Sequence, residues 1–370
     1  MKKVLVYGLK DPVGGVEKII FEYASCMVNS GYDISFDFII FSEKFSLESE
    51  INALGCRVVY LPSKKSDCVG YKKKLNELFA NNDYCAVWGN YSGLTNIDLL
   101  TFAKKHNVPI RIAHSHVAKL YWGHPLIKII GTVLHFINKI RLTNFATHYW
   151  ACSELAGKFM FPQLAQSNIS VINNAIDVKE FYPNKTKGEE IRKQFGISTN
   201  DIVVGHIARM CVAKNQVFLL KIMSEIRKIN QSAKLLFVGD GELKDSILAA
   251  AKDLGLLNDI IFTGFRTDTP DLLRAMDVFV LPSLSEGLGL SIIEAQAVGI
   301  PCVASAEVPQ AVNITDSVKF VSLDESPAKW AKEILAHTDV EVVSPTKKVI
   351  EGGFEINAQS QKIYLVFNGE

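Results

Sequence analysis

Short apolar runs alternate with longer amphipathic segments along this chain. VLVYG is followed by an amphipathic stretch at 16 to 30, ISFDFII by one at 46 to 54, RVVYL by one at 71 to 80 and AVWGN by one at 96 to 106, before PIRIAHSH closes the series. Continuous apolar runs of this length read as strands buried on both faces, and the longer segments as the helices that cover them. The βαβα order predicts a parallel sheet with helices on both sides. The second half repeats the scheme with IVVGHIA, KLLFVGDG, DIIFTGF, DVFVLPS and PCVAS. The predicted fold class is therefore α/β, with two Rossmann-like, doubly wound parallel-sheet domains. Neither periodicity dominates in NISVINNAIDVKEFYPN at 168 to 184, which sets a hinge there and domains at 1–168 and 169–350. The stretch 354–367, FEINAQSQKIYLVF, follows Gly352-Gly353 and reads as a helix that leaves the second domain and packs on the first.

Length agrees with this reading, since 370 residues suit two cores of roughly 150 to 200 residues each. Forty basic against 39 acidic residues leave a net charge of +1, which gives the molecule no overall attraction for nucleic acid. The seven cysteines include no C-x2-C pair, so free thiols in a reducing, cytoplasmic setting are expected. No apolar run reaches the roughly 18 residues that a spanning helix needs.

In open α/β sheets ligands bind beyond the carboxyl ends of the strands, where helix N-termini offer N–H groups to phosphate. Three glycine-rich turns occupy such places: Gly14-Gly15, Gly239-Asp240-Gly241 and Gly287-Leu288-Gly289. Around the last, Glu286 stands in a turn and Glu294 about one turn into the next helix. Carboxylates beside a phosphate site make sense if they accept from the hydroxyls of a sugar and a ribose. The plainer alternative is a solvated Glu286 and a Glu294 that favours the helix N-terminus electrostatically. In GHIARMCVAKNQ, Arg209 and Lys214 follow a strand, and a guanidinium and an ammonium together suit a pyrophosphate. Read singly, they are two surface cations. His114, in AHSH at the end of a first-domain strand, is placed to bond a sugar hydroxyl or to move protons near neutral pH, although a lone histidine is more often structural. His114 and His116 lack a third ligand at metal-site spacing, so they are not expected to hold a metal.

Taken in order, these residues resemble the family-4 retaining glycosyltransferases of GT-B fold, in particular those that build bacterial capsular and exopolysaccharides. The resemblance runs through Gly14-Gly15-Val16-Glu17, AHSH at 113 to 116, ATHYWACSELAGKFMF at 146 to 161 and NNAID at 173 to 177. It continues through Arg209 and Lys214, VGDGEL at 238 to 243, FTGF at 262 to 265, and Glu286 and Glu294 at E-x7-E spacing. It implies two domains facing a cleft and metal-independent transfer that retains the anomeric configuration. The donor would be a nucleotide sugar, expected to be a UDP-sugar, bound as substrate with no cofactor.

By the same resemblance, Arg209 and Lys214 clamp the pyrophosphate, Glu286 holds sugar hydroxyls and Glu294 the ribose. Backbone amides of Gly287, Leu288, Gly289 and Leu290 meet sugar or phosphate, and the base lies near Phe265 and Arg266. Gly14 and Gly15 close over the β-phosphate, and His114 sits beside the sugar. The implied acceptor is a glycan or polyprenyl-linked glycan, chosen by the loops at 63 to 70 and 117 to 125. Asn173-Asn174 stands where the family often has Asn-Gly, and asparagine tolerates a left-handed backbone. Glu307-Val308-Pro309-Gln310 replaces a common glycine-rich turn. The alternatives carried forward are a catalytically impaired nucleotide-sugar-binding subunit and a GT-B-like sugar-nucleotide epimerase.

PLIKIIGTVLHFINKIR at 125 to 141 predicts a helix with an apolar arc and a basic end. Packing on the first-domain sheet is the plainer expectation. The other is peripheral contact with an anionic membrane, at the inner face of the cytoplasmic membrane.

Overall fold

The structure is a computed structural model that describes residues 1–11, 13–120 and 125–370, with the backbone alone at 125–128. The chain divides into two compact units, 1–175 with 356–370, and 176–355. The boundary thus falls at Ala175/Ile176, within the stretch read as a hinge and beyond the 168/169 division drawn from the sequence. Neither Asn173 nor Asn174 adopts positive φ there; that conformation goes to Asn107 and Asn215 among the asparagines.

In the first unit the order is β1 (Lys2–Tyr7), α1 (Gly15–Asn29), β2 (Ile34–Ile40), α2 (Glu48–Ala53), β3 (Arg57–Tyr60), α3 (Cys68–Ala80), β4 (Ala86–Tyr91) and α4 (Asp98–Lys105). It continues with β5 (Ile110–Ser115), α5 (Pro125–Arg141), β6 (His148–Ala151), α6 (Glu154–Met160) and β7 (Ile169–Val171). The seven strands form one sheet in the order β3-β2-β1-β4-β5-β6-β7. Every pairing in it is parallel. Alternate residues feed opposite faces, as the two-sided burial of a parallel sheet requires. Val4, Val6 and Trp88 enter one core, and Leu5 and Val87 the other.

The second unit contains α7 (Lys185–Gln194), β8 (Val203–Ile207), α8 (Gln216–Ile229), β9 (Lys234–Val238), α9 (Lys244–Asp253), β10 (Ile260–Gly264) and α10 (Thr269–Arg274). After these come β11 (Val278–Leu281), α11 (Leu290–Val298), β12 (Cys302–Ser305), β13 (Val318–Val321), α12 (Pro327–His337) and α13 (Pro345–Glu351). Its parallel sheet runs β10-β9-β8-β11-β12-β13. The same alternation sends Leu235 and Phe237 to one core and Leu236 and Val238 to the other.

The last helix, α14 (Ile356–Asn368), belongs to the first unit. Ile356, Ile363 and Phe367 are buried in the core that holds Val4 and Trp88, and Tyr364 stacks on Tyr32 with ring centroids 4.2 Å apart.

The strands β6 (HYWA), β7 (ISV) and β13 (VKFV) lie outside the predicted set, because β7 has only three residues and a histidine or a lysine interrupts the apolar character of the other two. Each is recognisable only by the neighbour it pairs with.

Candidate nucleotide-sugar site

The strand order of the second sheet reverses between β8 and β11. From β8 the chain crosses to β9 on one side, and from β11 to β12 on the other, so the segments leaving these neighbouring strands open a crevice at their carboxyl ends. Those segments carry Arg209 and Lys214 on one side and Glu286 on the other.

Their backbones are joined, with Leu284 N–H donating to Ala213 O at 2.8 Å. Lys214 Nζ lies 2.6 Å from Glu286 Oε1, and Ser283 Oγ donates to that same oxygen at 2.6 Å. The Glu286 side chain is only 8% exposed, so its charge is held by these two donors rather than by bulk water. Local geometry assists. Asn215, at φ +55°, ends the 3-10 turn Val212–Lys214 and starts α8, which reverses the chain directly after the lysine.

Arg209 is anchored through its backbone, while its side chain is 54% exposed and pairs with Glu242 at 3.1 Å. Gly239 has φ +131°, and a Cβ there would sit 2.1 Å from Ala208 O; at Gly241 it would sit 2.4 Å from Met210 O. The glycines of VGDGEL therefore let the Arg209 segment lie against the turn after β9. Met210 N–H donates to Asp240 O at 2.9 Å and Leu243 N–H to Met210 O at 3.2 Å. From below, Gln216 Nε2 donates to Arg209 O at 2.8 Å and lies 3.5 Å from His206 Nε2. His206 Nδ1 donates to Val280 O at 2.8 Å. Burial pushes the His206 pKa down to about 4, which keeps it neutral and able to accept from Gln216.

Gly289, at φ +92°, caps α11, and the side chain of Leu288 enters the core, so this turn can offer a ligand only backbone. Glu294 is 7% exposed within α11. Phe265 is 69% exposed just beyond β10, at the edge of the sheet and two strands from β8. Arg266 beside it is paired with Asp268 at 2.5 Å, which raises its pKa.

In the first unit Gly14 caps α1, and its N–H donates to Glu17 Oε2 at 3.0 Å. Among the described residues nothing lies within 4 Å of the place a Cβ would take at Gly15.

His114 departs from expectation: it is completely buried, and burial together with His116 drives its pKa well below the usual value. It therefore does not titrate near neutrality. Trp88 Nε1 donates to His114 Nδ1 at 3.2 Å, and since an indole N–H can only donate, the His114 proton sits on Nε2. Asn90 turns its amide nitrogen to Tyr7 O and its oxygen to His116 Nε2, 2.9 Å away, which assigns the His116 proton to Nε2 as well. Burial lowers the His116 pKa to about 3. The two rings, with centroids 4.1 Å apart, thus hold one donor, His114 Nε2, and one acceptor, His116 Nδ1, both buried without a partner among the described residues. That pairing matches a hydroxyl group. The loop at 117 to 125 includes 121–124, which lie outside the described residues.

Sequence reasoning missed Ser283, Gln216, His206, Trp88 and Asn90, whose roles arise only from proximity. Glu242 was visible inside VGDGEL, but nothing local marked it as the partner of Arg209.

Comparison with known proteins bears on the family and the fold. Residues 187–339, which contain the Arg209, Lys214 and Glu286 cluster, match the family described as glycosyl transferases group 1. A galactosyltransferase of Escherichia coli, UDP-Gal:alpha-D-GlcNAc-diphosphoundecaprenol alpha-1,3-galactosyltransferase, is 38% identical over 140 residues, 37% of this chain and 36% of that one. The crystal structure of Anabaena HepE in complex with UDP and glucose superposes with a TM-score of 0.80 at 18% identity and covers all of both chains, which shows the shared GT-B fold. Bacillus subtilis (strain 168) glycosyltransferase EpsF is 31% identical over 327 residues, 87% of this chain and 84% of its own length. With that likeness extending over both units, the chain belongs to the group 1 glycosyl transferases and is a glycosyltransferase of GT-B fold.

Proposed function

We propose that this glycosyltransferase takes a nucleotide-diphosphate sugar, a UDP-sugar, and transfers the sugar with retention of configuration to a glycan or polyprenyl-linked glycan in cell-surface polysaccharide biosynthesis. The observation that carries the reading is the Lys214–Glu286 pair beside Arg209 at the β8/β11 crevice. A pyrophosphate entering there meets the ammonium and the guanidinium. Both stabilise the negative charge that grows on the departing diphosphate, the kind of preorganised electrostatics that carries much of a transfer reaction. Glu286 then accepts from hydroxyls of the moving sugar and Glu294 from the ribose, while amides from Gly287 to Leu290, at the start of α11, face phosphate. Phe265 offers an exposed ring to the base, with Arg266 beside it. In the first unit, His114 donates from Nε2 to a sugar hydroxyl, and Gly15 leaves room for a phosphate once Glu17 releases the Gly14 N–H.

Support for a UDP-sugar and a lipid-linked acceptor comes from the Escherichia coli relative, whose name states both, and from the UDP held by HepE. Support for a polysaccharide product comes from the Salmonella typhi Vi polysaccharide biosynthesis protein, 28% identical over 166 residues. Two protein cations supply the charge that a divalent ion would otherwise bring, so transfer proceeds without metal.

Thermal melting of the purified chain with UDP, GDP and ADP tests the donor reading, because a ligand that binds the native state raises its apparent stability. UDP is expected to raise the midpoint and Arg209→Ala to abolish the rise; no response to any nucleotide overturns the reading. Transfer should also survive chelator, and strict dependence on added magnesium or manganese would refute the metal-free mechanism.

A further inference from the structure

Both cations of the β8/β11 crevice are paired with carboxylates, but the two pairs are built differently. Lys214 sits on Glu286, whose side chain is 8% exposed and also accepts from Ser283. Arg209 sits on Glu242 in the open, with the two side chains 54% and 55% exposed. Arg209 Nε and Nη2 both lie 3.1 Å from Glu242 Oε2. An ion pair so exposed contributes little to the stability of a fold.

Backbone, not charge, keeps Glu242 where it is. A Cβ on Gly241 would stand 2.4 Å from Met210 O, and on the other side of Glu242 the Leu243 N–H donates to that same oxygen at 3.2 Å. Met210 directly follows Arg209 in the chain. When the guanidinium swings to a diphosphate, Glu242 therefore stays beside it. The other carboxylate of this turn, Asp240, has a cation of its own in Lys244 at 2.9 Å and accepts from Gly241 N–H at 2.8 Å. Among the described residues, Glu242 has only Arg209 to answer its charge.

Counting charge separates substrate from product. In the empty crevice two cations, Arg209 and Lys214, balance two carboxylates, Glu242 and Glu286. The diphosphate of a nucleotide sugar is esterified at both ends and carries about two negative charges. The nucleoside diphosphate left after transfer ends in a phosphate monoester, whose second pKa is about 6, so it carries about three at neutral pH. Cations alone would hold this product more tightly than the donor. A carboxylate fixed beside the diphosphate opposes both ligands, and it opposes the product by one charge more.

We propose that Glu242 sets the preference of the crevice for a nucleotide sugar over the free nucleoside diphosphate, and so hastens release of the product. This rests on the reading of the crevice as the UDP-sugar site. It gives the exposed carboxylate a role in turnover that needs no contact with the substrate.

Calorimetric titration of wild type and Glu242→Gln with UDP and with UDP-glucose tests it. Sugar contacts are shared by the two proteins, so a change in the ratio of the two affinities isolates the charge. The amide is expected to tighten both ligands, because Arg209 no longer leaves a carboxylate to reach them. UDP should tighten about two- to fivefold more than UDP-glucose, the scale of one exposed charge pair. Glu242→Asp keeps the charge and should keep the wild-type ratio. Both variants should retain the wild-type melting midpoint without ligand. Equal tightening of the two ligands, or weakening of either in Glu242→Gln, overturns the proposal, as does an aspartate variant whose ratio matches that of the amide. Arg209→Ala reports on the donor reading separately, since losing the cation should weaken UDP and UDP-glucose together. Binding that Arg209→Ala leaves unchanged defeats that reading, and the role of Glu242 with it.

Discussion

Lys214 and Glu286 neutralise one another across the β8/β11 crevice, and Ser283 shares the same carboxylate oxygen. Glu286→Gln keeps the shape and the hydrogen-bonding capacity but removes the charge that balances Lys214. Lys214→Ala removes a cation from the departing diphosphate. Each is expected to lower the transfer rate by about 100-fold or more, the scale seen when one preorganised charge or donor is lost. Circular dichroism should remain that of wild type, because neither side chain contributes to the apolar cores. Full activity in both variants would show that the crevice is not the donor site. The E-x7-E spacing and the Arg-Lys pair were legible in the sequence. The partnership between the lysine and the first glutamate was not, because 72 residues separate them and only the sheet order brings them together.

At the scale of an element, Asn215 shows how one backbone conformation supports the site. It is left-handed at φ +55°, and its side chain makes no capping hydrogen bond to α8. Its contribution is therefore tolerance of that conformation, which a Cβ-bearing residue without asparagine's local bonding adopts at a cost of about 1 to 2 kcal/mol. Asn215→Gly should melt at or above the wild-type temperature and remain active. Asn215→Ala should melt lower and lose activity, since Lys214 directly precedes the turn. Equal melting of the two variants would refute a requirement for the left-handed turn. From sequence the left-handed expectation attached to Asn173-Asn174, where the structure has none. Asparagine's tolerance is a local property, but which asparagine uses it depends on where the chain must reverse.

Across the whole molecule, buried histidines link stability to pH. His114, His116, His135 and His206 all have pKa values lowered by burial, to about 3 for His116 and about 4 for His135 and His206. In the unfolded chain they titrate near 6.5. Above that pH both states are neutral at these groups, and they impose no cost on folding. Below it the unfolded chain takes up protons that the native state refuses, so stability falls as pH drops from about 6.5 towards 4. The limiting slope is about 1.4 kcal/mol per pH unit for each histidine. Melting midpoints should be level from pH 8 to 7 and fall steeply between pH 6 and 5. A midpoint that holds steady down to pH 5 would show that these histidines can charge in place. The sequence pointed the other way for His114, because near-neutral titration is the property of a solvated imidazole and desolvation is set by the tertiary environment.

The sequence by itself determined the two α/β units, the GT-B resemblance and the candidate donor residues. Buried parallel strands, amphipathic helices and glycine-rich turns are written in local composition and spacing, and so are legible without coordinates. Tertiary structure alone decided the strand orders, the short strands β6, β7 and β13, and the burial of Phe367 of α14 beside Trp88. It also decided that Arg209 pairs with Glu242, that Trp88 fixes the His114 tautomer, and that α5 turns its apolar side outward. Each of these depends on which distant groups share a hydrogen bond, a charge or a place away from water, and such encounters are set by the packing of the whole chain.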